Sequence, residues 1–516
     1  MTNRHTDPHL PLVSRRAALG ASAGLAALLA GCTDTSGSTS GQGGTQAGSK
    51  PGSFDIPNNS IPKAQTSIRW MDSGDQKAKF WEPFFKAYHG VHDNATVAYK
   101  GTNWNTIQQS ITLGLQNGTA PDVFQLPSNI TSGQAVEQGW LAAFDDLVPD
   151  FKNLMSSFPP GTIANGVNSF DGKTYTLSPS SSQRMPYLSL ANSALVADTG
   201  TDLSNPISWD DFRTMLKKAT KNGKGKFYGI IAGLSQNGQL SAPVGVMAKL
   251  AGCPGDGGGF NWKTGKYNFT DDRVAEAIEL FLAIKSDGSF FPGSVSLDAP
   301  GARGRFPQGV AAVILQGPWN IRPWLDENPS LELSVGLLPM KDPSQSHMVG
   351  FGPGGSNPYA ASAKSPADTQ KVVGDIFHYV MSKKGQMNWA ERDGVGDPAY
   401  PGMQGAAKIG PEEQAAQRLA NDMMVVTPEP AVRNPDVATV YKNLKQVTPG
   451  FSATCVGLFT GQIKGVKSAL KELSDASEKA LDNAIDAANK QGAKVSRDDW
   501  VFPDWNPDQP YDTLYK

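Results

Sequence analysis

The chain has 516 residues, 39% hydrophobic and 18% charged, as in a soluble globular protein. Its 46 basic and 48 acidic residues give a formal net charge of −2, which removes any global electrostatic case for nucleic-acid binding. Beyond the first 31 residues no Gly-x-Ser-x-Gly elbow occurs, and the Gly-rich stretch 255–259 lacks the Lys-Ser/Thr ending of a phosphate loop.

The N-terminus reads as an export address. Ser14-Arg15-Arg16 precedes an uncharged run rich in Ala and Leu from Ala17 to Gly31, a secretory pattern whose paired arginines suggest the twin-arginine variant. The strongly apolar part is about half the ~20 residues needed to span a bilayer, too short for a permanent transmembrane anchor. Leu29-Ala30-Gly31-Cys32 resembles the lipobox of bacterial lipoproteins, which implies that Cys32 becomes the first mature residue and carries lipid. Ordinary cleavage with a free cysteine is the alternative. Residues 33–65 are mostly Ser, Gly, Thr, Asn and Pro, so residues 32–66 are expected to form a lipidated cysteine and a flexible linker. The expected location is the outer face of the cell membrane, held by the lipid alone. Removing residues 1–31 takes away Arg4, Arg15, Arg16 and Asp7, leaving 43 basic and 47 acidic groups and a net charge of −4.

The body from Thr66 onward is too large for one ordinary core and suggests two domains. Residues 67–70 read as a strand. Residues 76–88 read as a helix, with Phe80, Phe84, Phe85 and Tyr88 on one face. A strand over 96–99, a helix over 106–116 and a strand over 122–126 follow, so a parallel α/β sheet with crossover helices is expected. Trp209 opens a helix with Ser208 as N-cap, and 272–286 is an amphipathic helix carrying Val274, Ile278, Phe281 and Leu282. The apolar run 310–315 suits the middle of a buried sheet. Residues 335–338 form another strand, and 370–381 and 464–490 read as helices. Cys253 and Cys455 remain after Cys32 is set aside. A disulfide is chemically permitted outside the cytoplasm, but spacing cannot place the pair, and two buried thiols are the alternative.

A series of short motifs then lines up. They are Ala120-Pro121-Asp122-Val123-Phe124, Gly139-Trp140-Leu141 with Asp145-Asp146-Leu147, Asp171-Gly172-Lys173-Thr174-Tyr175, Trp209-Asp210-Asp211-Phe212, Tyr228-Gly229-Ile230, Phe306-Pro307-Gln308-Gly309 with Gly317-Pro318-Trp319, and Gly354-Gly355. Their order resembles the family 1 extracellular solute-binding proteins, the maltose-binding-protein-like receptors of ABC sugar importers. The resemblance implies a two-lobed fold, each lobe a mainly parallel sheet flanked by helices, with hinge crossovers. The expected layout is lobe 1 over 67–185 with a returning segment about 310–360, lobe 2 over 186–309 with C-terminal helices about 361–490, and a tail over 491–516. It further implies a monomer that binds a sugar, closes about it and delivers it to permease subunits. Where many relatives carry Tyr-Tyr-Asn-Lys at the first crossover, this chain reads Arg184-Met185-Pro186-Tyr187-Leu188-Ser189-Leu190-Ala191-Asn192, with Tyr187 and Asn192 keeping parts of that pattern.

Sugars offer hydroxyl fringes and apolar C–H faces, so a cleft needs aromatic rings and amide or carboxylate groups at the carboxyl ends of parallel strands. Asp72, Trp104, Gln125, Tyr187, Trp319, Phe351, Gly354 and Gly355 meet that description. Trp70 and Trp324 are expected in the core, and Trp389 and Arg392 near a third wall. Arg303 and Arg305 suit either a phosphate or uronate, or plain solvent exposure. Neither a cofactor nor a metal is expected: His89 and His92 have no third ligand at a credible spacing. Binding without catalysis is the leading expectation. A receptor for a polyol or glycerol phosphate, and a surface enzyme acting on glycans, are the alternatives.

Overall fold

In the computed structural model, residues 53–515 are described except 75–76, 128, 256–258, 346 and 393–407. The export signal, Cys32 and most of the expected linker lie outside the described residues.

The first sheet is built from β1 (Thr66–Asp72), β2 (Ala95–Gly101), β3 (Val123–Gln125), β4 (Leu141–Ala142) and β5 (Thr176–Leu177), completed by a strand from far along the chain, Tyr359–Ser362. β1 pairs in parallel with both β2 and β3, while Tyr359–Ser362 runs antiparallel to β3. The alternation of β1 sends Ile68 and Trp70 to one face and Met71 to the other. On the first face, α1 (Ala78–Val91) buries Phe80, Trp81, Phe84, Phe85 and Tyr88, which recur at helical spacing. On the second, α2 (Trp104–Asn117) is capped by Asn103, whose side chain accepts from Thr106 N at 2.9 Å. It stops at Gly118, with φ at 68°.

The second sheet has the order β9–β6–β8–β7, where β6 is Leu188–Asn192, β7 Tyr228–Ile231, β8 Ala311–Gln316 and β9 Leu333–Gly336. Only β7 and β8 are parallel; β6 is antiparallel to both its neighbours, so this sheet is mixed rather than mainly parallel.

The lobe boundaries also differ from expectation. β8 and β9 belong to the second sheet, and from the segment 310–360 only its end, leading into β11 (Tyr359–Ser362), reaches the first sheet. β8 is buried at all six positions, and its place between β6 and β7 supplies cover on both edges. The C-terminal helices divide as well. Helix Ala367–Val380 packs its Val372, Val373, Ile376 and Phe377 into the first-lobe core. Helices Phe451–Thr460 and Val466–Lys490 place Cys455 and Leu470 in the second-lobe core. β10 (Val349–Phe351), between the lobes, pairs in parallel with β12 (Met424–Val426).

Two segments expected outside the fold are part of it. Phe54 is 6% exposed and packs edge-on against Phe80 and Phe84 at 5.6 and 5.4 Å, so the linker ends before it. Near the C-terminus, Trp500, Phe502 and Trp505 are all buried. Cys253 and Cys455 are both buried and form no disulfide with each other. Burial raises the Cys455 thiol well above its ordinary value.

Candidate ligand cleft

β8 ends at Gln316, and Gly317-Pro318-Trp319 turns the chain into α3 (Ile321–Glu327). The Trp319 ring lies over Gly317 so closely that a Cβ there would sit 2.0 Å from it, so any larger residue would displace the ring. Below this turn three polar side chains are linked. Gln316 Nε2 donates to Gln239 Oε1 at 2.5 Å, and Gln239 Nε2 donates to the Tyr187 hydroxyl at 3.2 Å. Burial pushes the Tyr187 hydroxyl up to about 12, against the opposing pull of the Arg303 charge and the Gln239 bond. Tyr187 therefore stays neutral and keeps its proton to donate.

Two contacts tie this turn to the rest of the cleft. The Arg184 guanidinium, on the first crossover, lies 5.1 Å from the centre of the Trp319 ring, and its Nη2 donates to Ser356 Oγ at 3.0 Å. Beyond Trp319, Asp326 on α3 pairs with Lys79 of α1 in the other lobe at 3.0 Å. That pair is exposed, so it adds little stability.

The first-lobe wall departs from expectation. Asp72 is fully buried: Oδ1 accepts from Tyr99 OH at 2.6 Å and Gly74 N at 2.8 Å, and Oδ2 from Tyr359 OH at 2.7 Å. Gln125 is likewise buried, with Oε1 accepting from Ser73 N at 2.8 Å and Nε2 donating to Asn357 O at 3.2 Å. These two groups shape the carboxyl ends of β1 and β3 and leave no open position for a ligand. Trp104 is half-buried at the start of α2 against the core around Ile107. Phe351 is half-buried in β10, and its carbonyl accepts from Thr427 N at 2.9 Å. Gly354 and Gly355 have φ of 90° and 81°, and a Cβ on Gly355 would come 2.6 Å from Ser178 Cβ. Glycine lets the two crossovers pass each other here.

The chain matches the family of bacterial extracellular solute-binding proteins over residues 72–387. It belongs to that family. Among the relatives of this solute-binding protein is the diacetylchitobiose binding protein DasA of Streptomyces coelicolor, 24% identical over 334 residues, which are 64% of this chain and 72% of that one. A binding protein of Brucella abortus is 24% identical over 262 residues, 50% of this chain and 59% of that one. Among solved structures, a chitin oligosaccharide binding protein aligns with a TM-score of 0.61 at 18% identity, covering 81% of this chain and 99% of that one. The maltose/maltodextrin-binding domain MalE from Bdellovibrio bacteriovorus, bound to maltotriose, aligns at 0.59 with 15% identity over 81% and 100%. These structural likenesses establish the two-lobed fold.

In this solute-binding protein the expected third wall is core. Trp389 is fully buried, donates from Nε1 to Ser180 Oγ at 3.0 Å and packs 4.9 Å from Phe80; Arg392 lies 4.1 Å over the Phe54 ring. Trp70 and Trp324 are buried, as their strand and helix positions suggest. His89 and His92 bind the backbone oxygens of Ala95 and Pro57, and no metal-holding cluster occurs among the described residues. Sequence reasoning did not single out Gln239 and Gln316, which the fold links to Tyr187. Gln316 ends a buried apolar run, and that one polar residue closing an apolar strand was the available signal.

Proposed function

We propose that this solute-binding protein is an extracellular carbohydrate receptor that hands its ligand to an ABC importer after the lobes close. The observation that carries this reading is the half-buried Trp319 ring on the turn that follows Gln316, whose side chain is linked through Gln239 to Tyr187. A ring takes the C–H face of a sugar, and amide and phenol groups take its hydroxyls. The relative DasA is a diacetylchitobiose binding protein, and the structural neighbours include a chitin oligosaccharide binding protein and a maltotriose complex, which supports the same class. Closure works because ligand contacts from both lobes are complete only in the closed form, which ligand therefore stabilises. We further propose that Cys32 is lipidated after export, that the protein acts as a monomer, and that it binds without chemistry. A thermal-shift screen over neutral di- and oligosaccharides, uronates and polyols tests the reading. A neutral sugar should raise the melting temperature most, and chromatography should recover it intact. A shift by polyols alone, or conversion of the sugar, would refute it.

A further inference from the structure

Between the first lobe and the C-terminal helical region lies a recess of about 290 Å³. One wall is Leu126 at the carboxyl end of β3, with Ile130, Thr131 and Val167; the other carries Glu429, Ala438 and Tyr441. The volume falls at the low edge of the ~300–1,000 Å³ of whole small-molecule sites, so the recess suits one substituted ring rather than an oligosaccharide.

Glu429 supplies the carboxylate of this mostly apolar chamber. Its Oε1 accepts twice, from Ala431 N at 3.0 Å and from Tyr441 OH at 2.7 Å. Its Oε2 accepts from nothing among the described residues. Both donors on one oxygen fix the plane of the carboxylate and leave the other oxygen as an acceptor position. Across the recess, Thr131 Oγ1 accepts from Gln134 N at 3.1 Å, so the hydroxyl proton remains to donate. One acceptor, one donor and apolar walls make a specific pattern. A hydroxyl group answers the acceptor but leaves Leu126, Ile130 and Val167 facing water or oxygen. An acetamido group answers all three, with its N–H to Oε2, its carbonyl to Thr131 and its methyl to the aliphatic wall.

We propose that this recess is a subsite for the acetamido group of an N-acetylated amino sugar, with Glu429 as the specificity-determining residue. The proposal rests on the carbohydrate reading above and narrows it to amino sugars.

The test is calorimetry with a β-1,4-linked N-acetylglucosamine disaccharide and the glucose disaccharide of the same linkage. The wild type should bind the first at least tenfold more tightly. Glu429→Gln turns an amide N–H toward the ligand's N–H, and Ala438→Phe fills the recess while keeping Glu429 and its donor Tyr441 in the chain. Each should cut the preference below threefold while changing affinity for the glucose sugar less than threefold. Thermal melts establish that each variant is folded, and the wild-type comparison stands without them. Equal affinity for the two sugars, or a preference untouched in either folded variant, would overturn the subsite and leave the carbohydrate reading in place. Binding of neither these nor any other sugar would overturn both.

Discussion

The guanidinium of Arg184 lies 5.1 Å from the centre of the Trp319 ring while its Nη2 donates to Ser356 at 3.0 Å. One side chain thus joins the Gly317-Pro318-Trp319 turn of the second lobe to two crossovers. A sugar stacking on Trp319 must either share the ring with Arg184 or displace it. Either event is felt at the hinge, because Ser356 precedes β11 by three residues and its carbonyl also accepts from Ser178 Oγ.

Replacing Trp319 by Ala should weaken sugar binding by about 1–3 kcal/mol, the range for losing a stacking aromatic. The ring is half-buried, so the melting temperature without ligand should fall little. Calorimetry and a ligand-free melt check this. A large drop in stability with unchanged affinity per folded molecule would place Trp319 in the core and take it out of the site.

Arg184→Lys keeps the charge but loses the planar fork that reaches ring and hydroxyl together. It should lose the ring contact, worth about 0.5–1 kcal/mol at a partly exposed site. The unliganded protein should also open further, seen as a larger radius of gyration in solution scattering. An unchanged radius with unchanged affinity would show that Arg184 links nothing of consequence.

Asp72 gives a pH signature. Burial raises its pKa above the ordinary carboxylate value, with Lys77 and the Tyr359, Tyr99 and Gly74 hydrogen bonds opposing the shift. The folded state then holds this proton more tightly than the unfolded chain. Its stabilising contribution is present below the ordinary value and is lost as pH rises through the shifted one. Asp72→Asn cannot titrate, and its amide leaves one of the hydroxyl donors poorly matched, a cost of about 1–3 kcal/mol. Stability curves in denaturant from pH 3 to 8 should show the variant's deficit narrowing as pH rises. A deficit that widens with pH would mean that the folded state lowers this pKa.

Cys32→Ala should release the protein from the membrane without changing its melting curve, because Cys32 precedes by about twenty residues Phe54, which is packed in the first-lobe core. Fractionation with equal membrane retention of the variant would refute lipid anchoring.

Local pattern made much of this fold legible, and distance limited the rest. Helix Asp272–Ser286 has the expected bounds and buries Val274, Ile278 and Phe281 of the expected face, Leu282 being half-buried, and β8 is as buried as its uninterrupted apolar run implies. The same run carries no information on which sheet it joins, since that choice depends on β6, more than a hundred residues earlier. Asp72 and Gln125 were placed correctly at strand ends. Their roles were not legible, because Tyr359 and Asn357, which take up their hydrogen bonds, lie 287 and 232 residues later in the chain. Cys253 and Cys455 illustrate the same limit, since two cysteines in an exported chain permit a bond that the fold does not make. Phe54 escaped notice because one aromatic in a polar stretch has no periodicity to reveal its burial.

The most direct test of the central claim is a calorimetric titration of the lipid-free protein with the sugar that raises its melting temperature most, followed by chromatography of the recovered ligand. One-site saturable binding, with the sugar returned unchanged, is the predicted result. Heat that continues at a steady rate after mixing, with product in the recovered ligand, would contradict a receptor, and so would the absence of binding by every carbohydrate tried.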